Sequence, residues 1–256
     1  YLNMISIKKN IISIFSGWLI PVIVFFLLTP YLLKNLGEEA FGIFTLITVI
    51  SGYVSFLNFG FGQAITKHIA SYYAKGSHLD VNKTLIVSLL FFLVIGFVGF
   101  LFIYILSEHV INYNIFKISS DLKDTAILSF KVGAIGFLLN MLIEALRGLN
   151  IGLNNFFIPN LSRSIRIIIS SSFMVLALFY FGELHFVIIG NIAGQFIAFI
   201  INFILTLRQF LPISIKFDFT IFKEMIGYSK YVFGSKVLNY FSSELGIIIL
   251  GIVTNV

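Results

Sequence analysis

Seven long stretches of the sequence contain almost no charged residues, and they limit the fold more than any other feature. Each is about 20 residues long, the length that an α-helix needs to cross the hydrocarbon core of a bilayer. Runs such as 85–106 are continuously apolar, whereas the strands of a membrane barrel alternate in polarity. The sequence therefore predicts an all-α, polytopic helix bundle in a membrane. The predicted spans are 10–33, 41–66, 84–107, 125–146, 167–182, 186–207 and 226–252.

Composition excludes a water-soluble domain. Of the 256 residues, 59% are hydrophobic and only 11% are charged, against about 25% charged residues in ordinary globular chains. The net charge of +6 would suggest a nucleic-acid partner in a soluble protein. Here the Lys and Arg residues fall in short loops between apolar runs, so they indicate membrane orientation and no nucleic-acid binding.

The basic residues gather on one side of the predicted membrane, which predicts a cytoplasmic N-terminus. The segment 208–224 then becomes a cytoplasmic linker between helices six and seven, and we interpret it as a boundary between lobes. An ordinary interfacial connector is compatible with that interpretation. The inner-loop basic residues are Lys8, Lys9, Lys67, Lys75, Lys83, Arg147, Arg163, Arg166, Arg208, Lys216 and Lys223.

Neither end of the chain resembles a natural terminus. Tyr1 precedes Met4, and Val256 directly follows an apolar run. We therefore expect a fragment of a longer protein. The first apolar segment is too long for a signal-peptide core and has no small-residue cleavage site, so it is expected to remain as a span.

Five ionisable residues lie inside the predicted spans: Lys131, Glu144, Lys230, Lys236 and Glu244. A charge at the bilayer centre costs at least about 2.5 to 3.5 kcal/mol, so such groups usually face a bundle interior or a water-filled cavity. Lys236 lies about 15 Å into helix seven, near mid-membrane, and is predicted to line a polar cavity. Lys131 and Lys230 lie near helix starts, where snorkelling to the headgroups remains an equal alternative.

The two Glu residues have different surroundings in the sequence. Glu144 is three residues before Arg147, which predicts an ion pair at the cytoplasmic interface. Glu244 shares a broad face of helix seven with Lys230 and Lys236.

Proline residues in helix one and glycine residues in helix six predict special features of these two helices. Pro21 and Pro30 interrupt hydrogen bonding in helix one and predict a kink or a broken segment. Gly190 and Gly194 have the spacing that allows close helix packing in helix six.

Sequence signatures of soluble enzymes are missing. There is no phosphate-binding GxxxxGK[ST] loop, and the four His residues lack metal-binding spacing. The absence of Cys excludes disulfides, thiolate metal sites and Cys nucleophiles. We predict no metal, no cofactor and no enzymatic activity.

Several ordered motifs are similar to those of a known family. They are Leu36-Gly37-Glu38-Glu39-Ala40-Phe41-Gly42, Asn58-Phe59-Gly60-Phe61, Leu146-Arg147-Gly148-Leu149 and the helix from Phe233 to Gly251. Together they resemble the polysaccharide and O-antigen flippases of the Wzx type, in the multidrug/oligosaccharidyl-lipid/polysaccharide exporter superfamily. Two positions differ from the family pattern, because Asn58 and Glu244 stand where the family often has Asp.

The resemblance implies twelve or more helices in two related lobes around a cavity that opens to one side at a time. Residues 1–207 would then form the first six-helix lobe, 208–224 the inter-lobe linker, and 225–256 the first helix of a second lobe. The implied substrate is an oligosaccharide on polyprenyl pyrophosphate, carried from the cytoplasmic to the outer face of the inner membrane.

For this substrate, Lys131, Lys230 and Lys236 are the predicted diphosphate-binding residues. Glu244 is predicted to balance their charge or to bind a coupling proton, and sodium remains open as the coupling ion. The expected partners are membrane lipids and, as an open alternative, the polymerase or ligase machinery of polysaccharide assembly.

Two other functions remain as alternatives. A multidrug cation antiporter would share the architecture, but the three Lys and two Glu residues within the spans favour an anionic cargo. A membrane enzyme such as a polymerase or ligase would normally carry a large outer loop with Arg, His or acidic clusters. The longest outer loop, 108–124, is short and has no such cluster.

Overall fold

The computed structural model describes residues 7–52, 58–113, 115–208 and 216–254, and only the helical backbone of 7–9, 52 and 240–254. This part of the chain is helical, with no strand, which confirms the predicted all-α polytopic bundle. A short 3₁₀ turn at Ser120–Leu122 precedes the fifth helix. The helices are α1 (Ile7–Leu36), α2 (Glu38–Gly52), α3 (Phe61–Ala74), α4 (His78–Asn112), α5 (Lys123–Gly152), α6 (Phe157–Phe181), α7 (Leu184–Leu207) and α8 (Phe219–Thr254).

Five regions of this described part are long and apolar enough to cross a membrane. They coincide with the first, third, fourth, fifth and sixth predicted spans, so the protein is a multi-pass membrane protein. The five are Asn10–Leu36, His78–Asn112, Ser120–Gly152, Phe157–Phe181 and Leu184–Leu207.

The second predicted span, 41–66, is wrong as a single helix. It is divided between α2 and α3, which begins after a tight turn at residues 58–60. Phe59 and Gly60 both have positive φ, 47° and 75°, and the Asn58 side chain accepts a hydrogen bond from the Gly60 N–H at 3.0 Å. Hydropathy does not detect this turn, because apolar residues surround it.

The fifth predicted span, 167–182, begins too late. Helix α6 starts at Phe157, so Arg163 and Arg166 lie within a helix and not in a loop. Charge lowers the local hydropathy without opposing helix formation, because Arg is a good helix former. Pro159 in the first turn is a sequence signal for this earlier start.

The predicted tight hairpin between the fifth and sixth spans is confirmed. Helix α6 ends at Phe181 and α7 begins at Leu184. Gly182 has φ 71°, a left-handed conformation that ends a helix at little cost for glycine.

Close packing of α7 against α6 is also confirmed. A Cβ atom on Gly190 would lie 2.8 Å from the backbone carbonyl of Phe173, and one on Gly194 would overlap Ser170. The two glycines therefore let the helix backbones approach each other, as their spacing predicts.

Helix α1 passes through Pro21 and Pro30 without a break, so the predicted broken segment is wrong. A missing hydrogen bond at each proline interrupts the ladder locally, but the remaining bonds continue the helix. The predicted kink stays a prediction.

The largest hydrophobic core joins the start of α8 to three earlier helices. Ile221 and Met225 of α8 pack with Phe61 of α3, Phe92 of α4 and Met141 of α5. Because α8 begins at Phe219, the last part of the predicted linker 208–224 is helical. The interpretation of that segment as a lobe boundary stays a prediction.

Candidate functional site

Three adjoining polar cavities lie between the helices, and Glu144 of α5 lines all of them. The first, of about 330 Å³, we call the amide cavity; its polar walls are Thr48, Ser51, Asn140, Asn191 and Gln195, with Glu144 and Arg166. The second, of about 500 Å³, we call the arginine cavity; it is lined by Arg147, Arg163, Arg166, Asn160, Ser162 and Asn202, with Glu144. The third, of about 400 Å³, we call the lysine cavity; its polar walls are Lys67, Lys236, Asn58, Gln63, Thr66 and Arg147, with Glu144.

The cavities follow α5 over most of its length. Gly133 lines the amide cavity, and Ile151 lines the other two. These residues are about 27 Å apart along the helix axis at 1.5 Å per residue, close to the roughly 30 Å of a bilayer hydrocarbon core. The polar cavities thus occupy nearly the depth that a membrane-crossing path requires.

Arg166 connects the amide and arginine cavities. Its Nη1 donates a hydrogen bond to Asn140 Oδ1 at 3.4 Å, and among the described residues it makes no ion pair. A guanidinium offers five N–H donors in a planar fork that matches phosphate oxygens. Arg166 therefore has donors available for an anionic ligand.

The predicted ion pair of Glu144 with Arg147 is confirmed, with Arg147 Nε 3.0 Å from Glu144 Oε2. Both residues line the arginine and lysine cavities, and α5 continues beyond them to Gly152. Their predicted place at the cytoplasmic interface stays a prediction. The Arg147 side chain is 55% exposed and that of Glu144 is 24% exposed. Both groups are open to the cavity space that they share.

Among the described residues that line the three cavities, Lys67, Arg147, Arg163, Arg166 and Lys236 are basic and Glu144 is acidic. This excess of positive groups favours an anionic ligand, since electrostatic attraction strengthens as water is excluded.

Lys236 lines the lysine cavity, and its Nζ lies 3.5 Å from Asn58 Oδ1. The turn at Asn58 supports α8 directly, because a Cβ atom on Gly60 would lie 2.8 Å from the Val232 side chain and 2.9 Å from the Ser229 carbonyl. The motif Asn58-Phe59-Gly60 thus positions the helix that carries Lys236. The role predicted for Lys236 in substrate binding stays a prediction.

The other predicted diphosphate ligands lie elsewhere. Lys131 forms an ion pair with Glu108, with Nζ and Oε2 3.1 Å apart, and its Nζ is 5.3 Å from the centre of the Tyr104 ring. Lys230 is exposed, with its Nζ 5.0 Å from the centre of the Tyr231 ring. Neither lines the three cavities. The side chain of Glu244 lies outside the described residues.

The start of α8 is held by polar contacts to α3 and α4. Lys83 Nζ is 2.9 Å from Asp218 Oδ2, and the pKa of Asp218 is lowered mainly by this hydrogen bond and also by backbone N–H donors of α8. Tyr72 donates a hydrogen bond to Glu224 at 3.2 Å. These contacts fix the start of the helix that carries Lys236.

Sequence reasoning missed Arg163 and Arg166 as cavity residues because it placed them in a loop. It also missed the amides Asn140, Asn191 and Gln195, because an uncharged polar residue does not interrupt a hydropathy profile. Only Pro159, in the first turn of α6, offered a sequence signal for the arginines.

The fold and the cavities define an all-α, multi-pass membrane protein with a polar and mainly basic interior. The chain belongs to the polysaccharide biosynthesis protein family, whose model matches residues 7–255. This confirms the resemblance described from the motifs.

Two relatives are named transporters. A "Putative O-antigen transporter" of Shigella flexneri is 24% identical over 237 residues, covering 91% of this chain and 55% of the relative. A "Putative O-antigen transporter" of Salmonella typhi is 26% identical over 140 residues, covering 54% of this chain and 32% of the relative. The chain thus spans about half the length of the Shigella flexneri relative and about a third of the length of the Salmonella typhi relative. No solved structure matches.

Proposed function

We propose that the protein is a flippase that moves polyprenyl-pyrophosphate-linked oligosaccharide from the cytoplasmic to the outer face of the inner membrane by alternating access. The observation that carries the proposal is the row of mainly basic cavities within an apolar helix bundle of this family. The names of the relatives, which indicate a transporter and not an enzyme, also support it.

The chemistry of such a substrate fits the cavity walls. A diphosphate needs fixed positive groups to leave water, and arginine binds phosphate oxygens through two parallel hydrogen bonds. Arg147, Arg163 and Arg166 line one cavity. Arg163 and Arg166, which make no ion pair among the described residues, are the groups best placed to receive the diphosphate, whereas Arg147 is already paired with Glu144. The polyprenyl tail stays in the bilayer.

The predicted topology places the arginine cavity toward the cytoplasmic end of α5, where lipid-linked oligosaccharide is made. The N-terminus is then cytoplasmic, and the amide cavity lies farther toward the outer face. In the two-lobe arrangement, this chain supplies the first lobe and α8 begins the second lobe.

Charge balance and coupling complete the proposal. Lys236 binds the diphosphate at a later stage from the lysine cavity. Lys131, which is paired with Glu108, and the exposed Lys230 contribute only weakly from the periphery. Glu244 balances these charges or binds the coupling ion, a proton or sodium. Membrane lipids and the polymerase or ligase machinery are the proposed partners, and no cofactor is required.

The test is deletion of the complete gene in its own strain. We expect lipid-linked oligosaccharide to accumulate on the inner face while surface polysaccharide disappears, and we expect the plasmid-borne gene to restore both. Sensitivity to cationic drugs is measured in parallel. Intact surface polymer together with drug hypersensitivity would overturn the proposal in favour of a multidrug antiporter, and intact polymer alone would overturn it as well.

A further inference from the structure

The amide cavity differs in chemistry from its two neighbours. Its polar walls come from three helices: Thr48 and Ser51 on α2, Asn140 on α5, and Asn191 and Gln195 on α7. The charged residues Glu144 and Arg166 lie where it adjoins the arginine cavity. A ligand in its remaining part would meet amides and hydroxyls, which donate and accept hydrogen bonds without carrying charge.

Gln195 has hydrogen-bonding capacity that the described residues leave unused. The residue is only 6% exposed, and its Oε1 has no hydrogen-bond partner in this part of the chain. Its Nε2 donates to Asn191 Oδ1 at 3.4 Å, a long hydrogen bond. A buried acceptor without a partner is unfavourable, so it indicates a missing donor.

Another buried amide of the same bundle shows what a structural role looks like. Asn150 of α5 donates to Thr206 Oγ1 at 2.7 Å and to the Leu146 carbonyl at 2.8 Å, away from the amide cavity. Its amide joins α5 to α7 through short hydrogen bonds. Gln195 makes no comparable connection, which separates it from amides that serve only in helix packing.

The backbone next to Gln195 leaves room for a ligand. Gly136 lines the cavity, and a Cβ atom there would lie 3.6 Å from Gln195 Oε1. A larger side chain at Gly136 would therefore fill the space in front of the unpartnered oxygen. The cavity volume, about 330 Å³, is within the range of roughly 300 to 1,000 Å³ found for small-molecule sites.

We propose that the amide cavity binds the uncharged sugar residues of the cargo, an inference that rests on the flippase function proposed above. Gln195 Oε1 accepts a hydrogen bond from a sugar hydroxyl, and Asn140, Asn191 and Thr48 supply further polar partners. Arg166 lies at the junction, so the diphosphate in the arginine cavity and the first sugar in the amide cavity are bound side by side. The amide cavity thus gives the protein its preference for a glycosylated carrier.

The test compares two ligands of the full-length protein reconstituted in lipid nanodiscs. One is polyprenyl diphosphate carrying the oligosaccharide of the source strain, and the other is polyprenyl diphosphate without sugar. We expect the wild type to bind the glycosylated lipid at least tenfold more tightly. We expect Gln195→Leu to weaken that binding about tenfold and to leave binding of the bare lipid unchanged within twofold, because a site built to bind hydroxyls loses affinity only for ligands that carry them.

A matched pair of threonines on α2 provides a second variant and its control. Thr48 lines the cavity and Thr45 does not, and each hydroxyl donates to the carbonyl four residues earlier at 2.9 Å. We expect Thr48→Val to weaken binding of the glycosylated lipid about threefold and Thr45→Val to change neither ligand. Because valine has nearly the shape of threonine, this pair keeps the test decisive if Gln195→Leu fails to fold.

Three outcomes would overturn the inference. The first is equal affinity of the wild type for the two lipids, and the second is an equal effect of Gln195→Leu on both. The third is wild-type affinity in both cavity variants. Failure of the flippase function is distinguishable, because the wild type would then bind neither lipid and the deletion strain would keep its surface polymer; that result would overturn both proposals.

Discussion

Arg166 and Lys131 are both cations within apolar helices, but their surroundings differ. Lys131 pairs with Glu108 at 3.1 Å, and the side chain of Glu108 is 57% exposed. Arg166 lies between two cavities, with a 3.4 Å hydrogen bond to Asn140 and no ion pair among the described residues. A cation that has a carboxylate partner within the protein needs no ligand, whereas one that faces a cavity without such a partner is suited to binding an anion. The partner of an intramembrane charge therefore indicates more about its role than its depth does.

The largest effect is expected at Arg166. Arg166→Gln keeps polar character but removes the charge, and a hydrogen bond to a charged group contributes about 2 kcal/mol, or about 30-fold in binding. We expect export of lipid-linked oligosaccharide to fall by at least that factor at normal protein level, measured as surface polysaccharide in the complemented deletion strain. Arg166→Lys, which keeps the charge but loses the planar fork, should retain part of the activity. If Arg166→Gln exports at the wild-type level, Arg166 does not bind the substrate and does not differ in role from Lys131.

A smaller effect is expected at Lys236. It lines the lysine cavity, 3.5 Å from Asn58 Oδ1, while Lys230 on the same helix is exposed. We expect Lys236→Ala to lower export about fivefold, which corresponds to about 1 kcal/mol for a partly solvated charge. Lys230→Ala is the matched comparison and should lower export less. Equal export by the two variants would show that lining a cavity is not what distinguishes these residues.

Loss of the peripheral ion pair should affect stability slightly and export hardly at all. An exposed ion pair contributes about 0 to 1 kcal/mol, so we expect Lys131→Ala to lower the free energy of unfolding within that range. The pairwise contribution is isolated by a double-mutant cycle of Lys131→Ala with Glu108→Ala, measured by thermal unfolding in detergent. Export should remain within twofold of the wild type. A tenfold loss of export in Lys131→Ala would place Lys131 in the substrate path and contradict its assignment as a structural cation, in contrast to Arg166.

The smallest effect concerns Asp218, which pairs with Lys83 at the start of α8. The pKa of Asp218 is lowered by the hydrogen bond from Lys83, so its stabilisation is present above the unfolded-state pKa of about 4 and is lost as pH falls through the folded-state pKa. Asp218 also accepts hydrogen bonds from the Thr220 and Ile221 backbone N–H groups. Asn serves equally well as a helix cap, so Asp218→Asn removes only the charge.

We expect the melting temperature of the wild type to exceed that of Asp218→Asn by a small amount at pH 7, and the difference to vanish as the pH falls below 4. Asp218→Ala, which also loses the cap, should stay less stable than Asp218→Asn throughout the range. A difference between wild type and Asp218→Asn that grows at low pH would contradict the direction of the pKa shift.

Several features were predicted from the sequence because their causes are local. Continuous apolar runs of membrane-spanning length require helices, so the fold class followed directly. The hairpin at Gly182, the pair of Glu144 with Arg147 and the close packing at Gly190 and Gly194 depend on neighbours within a few residues or on side-chain size alone. All three are confirmed by the structure.

Other features could not be predicted because they depend on contacts between distant segments. The turn at Asn58 is hidden within an apolar run, and its glycine is explained by the approach of Val232 from α8. The placement of Arg166 required the early start of α6, which the charge itself obscured. The pairing of Lys131 with Glu108 required the packing of α4 on α5.

By itself, the sequence determined that this chain is a polytopic helix bundle with charges inside its spans. Only the tertiary structure decided which polar groups meet, because Thr48, Asn140, Arg166 and Gln195 come from four helices and share no sequence spacing. Hydropathy records the solvent that each segment requires, and it is insensitive to the direction that a side chain faces. The polar groups that line a cavity depend on the directions in which the side chains face, and helix packing determines those directions.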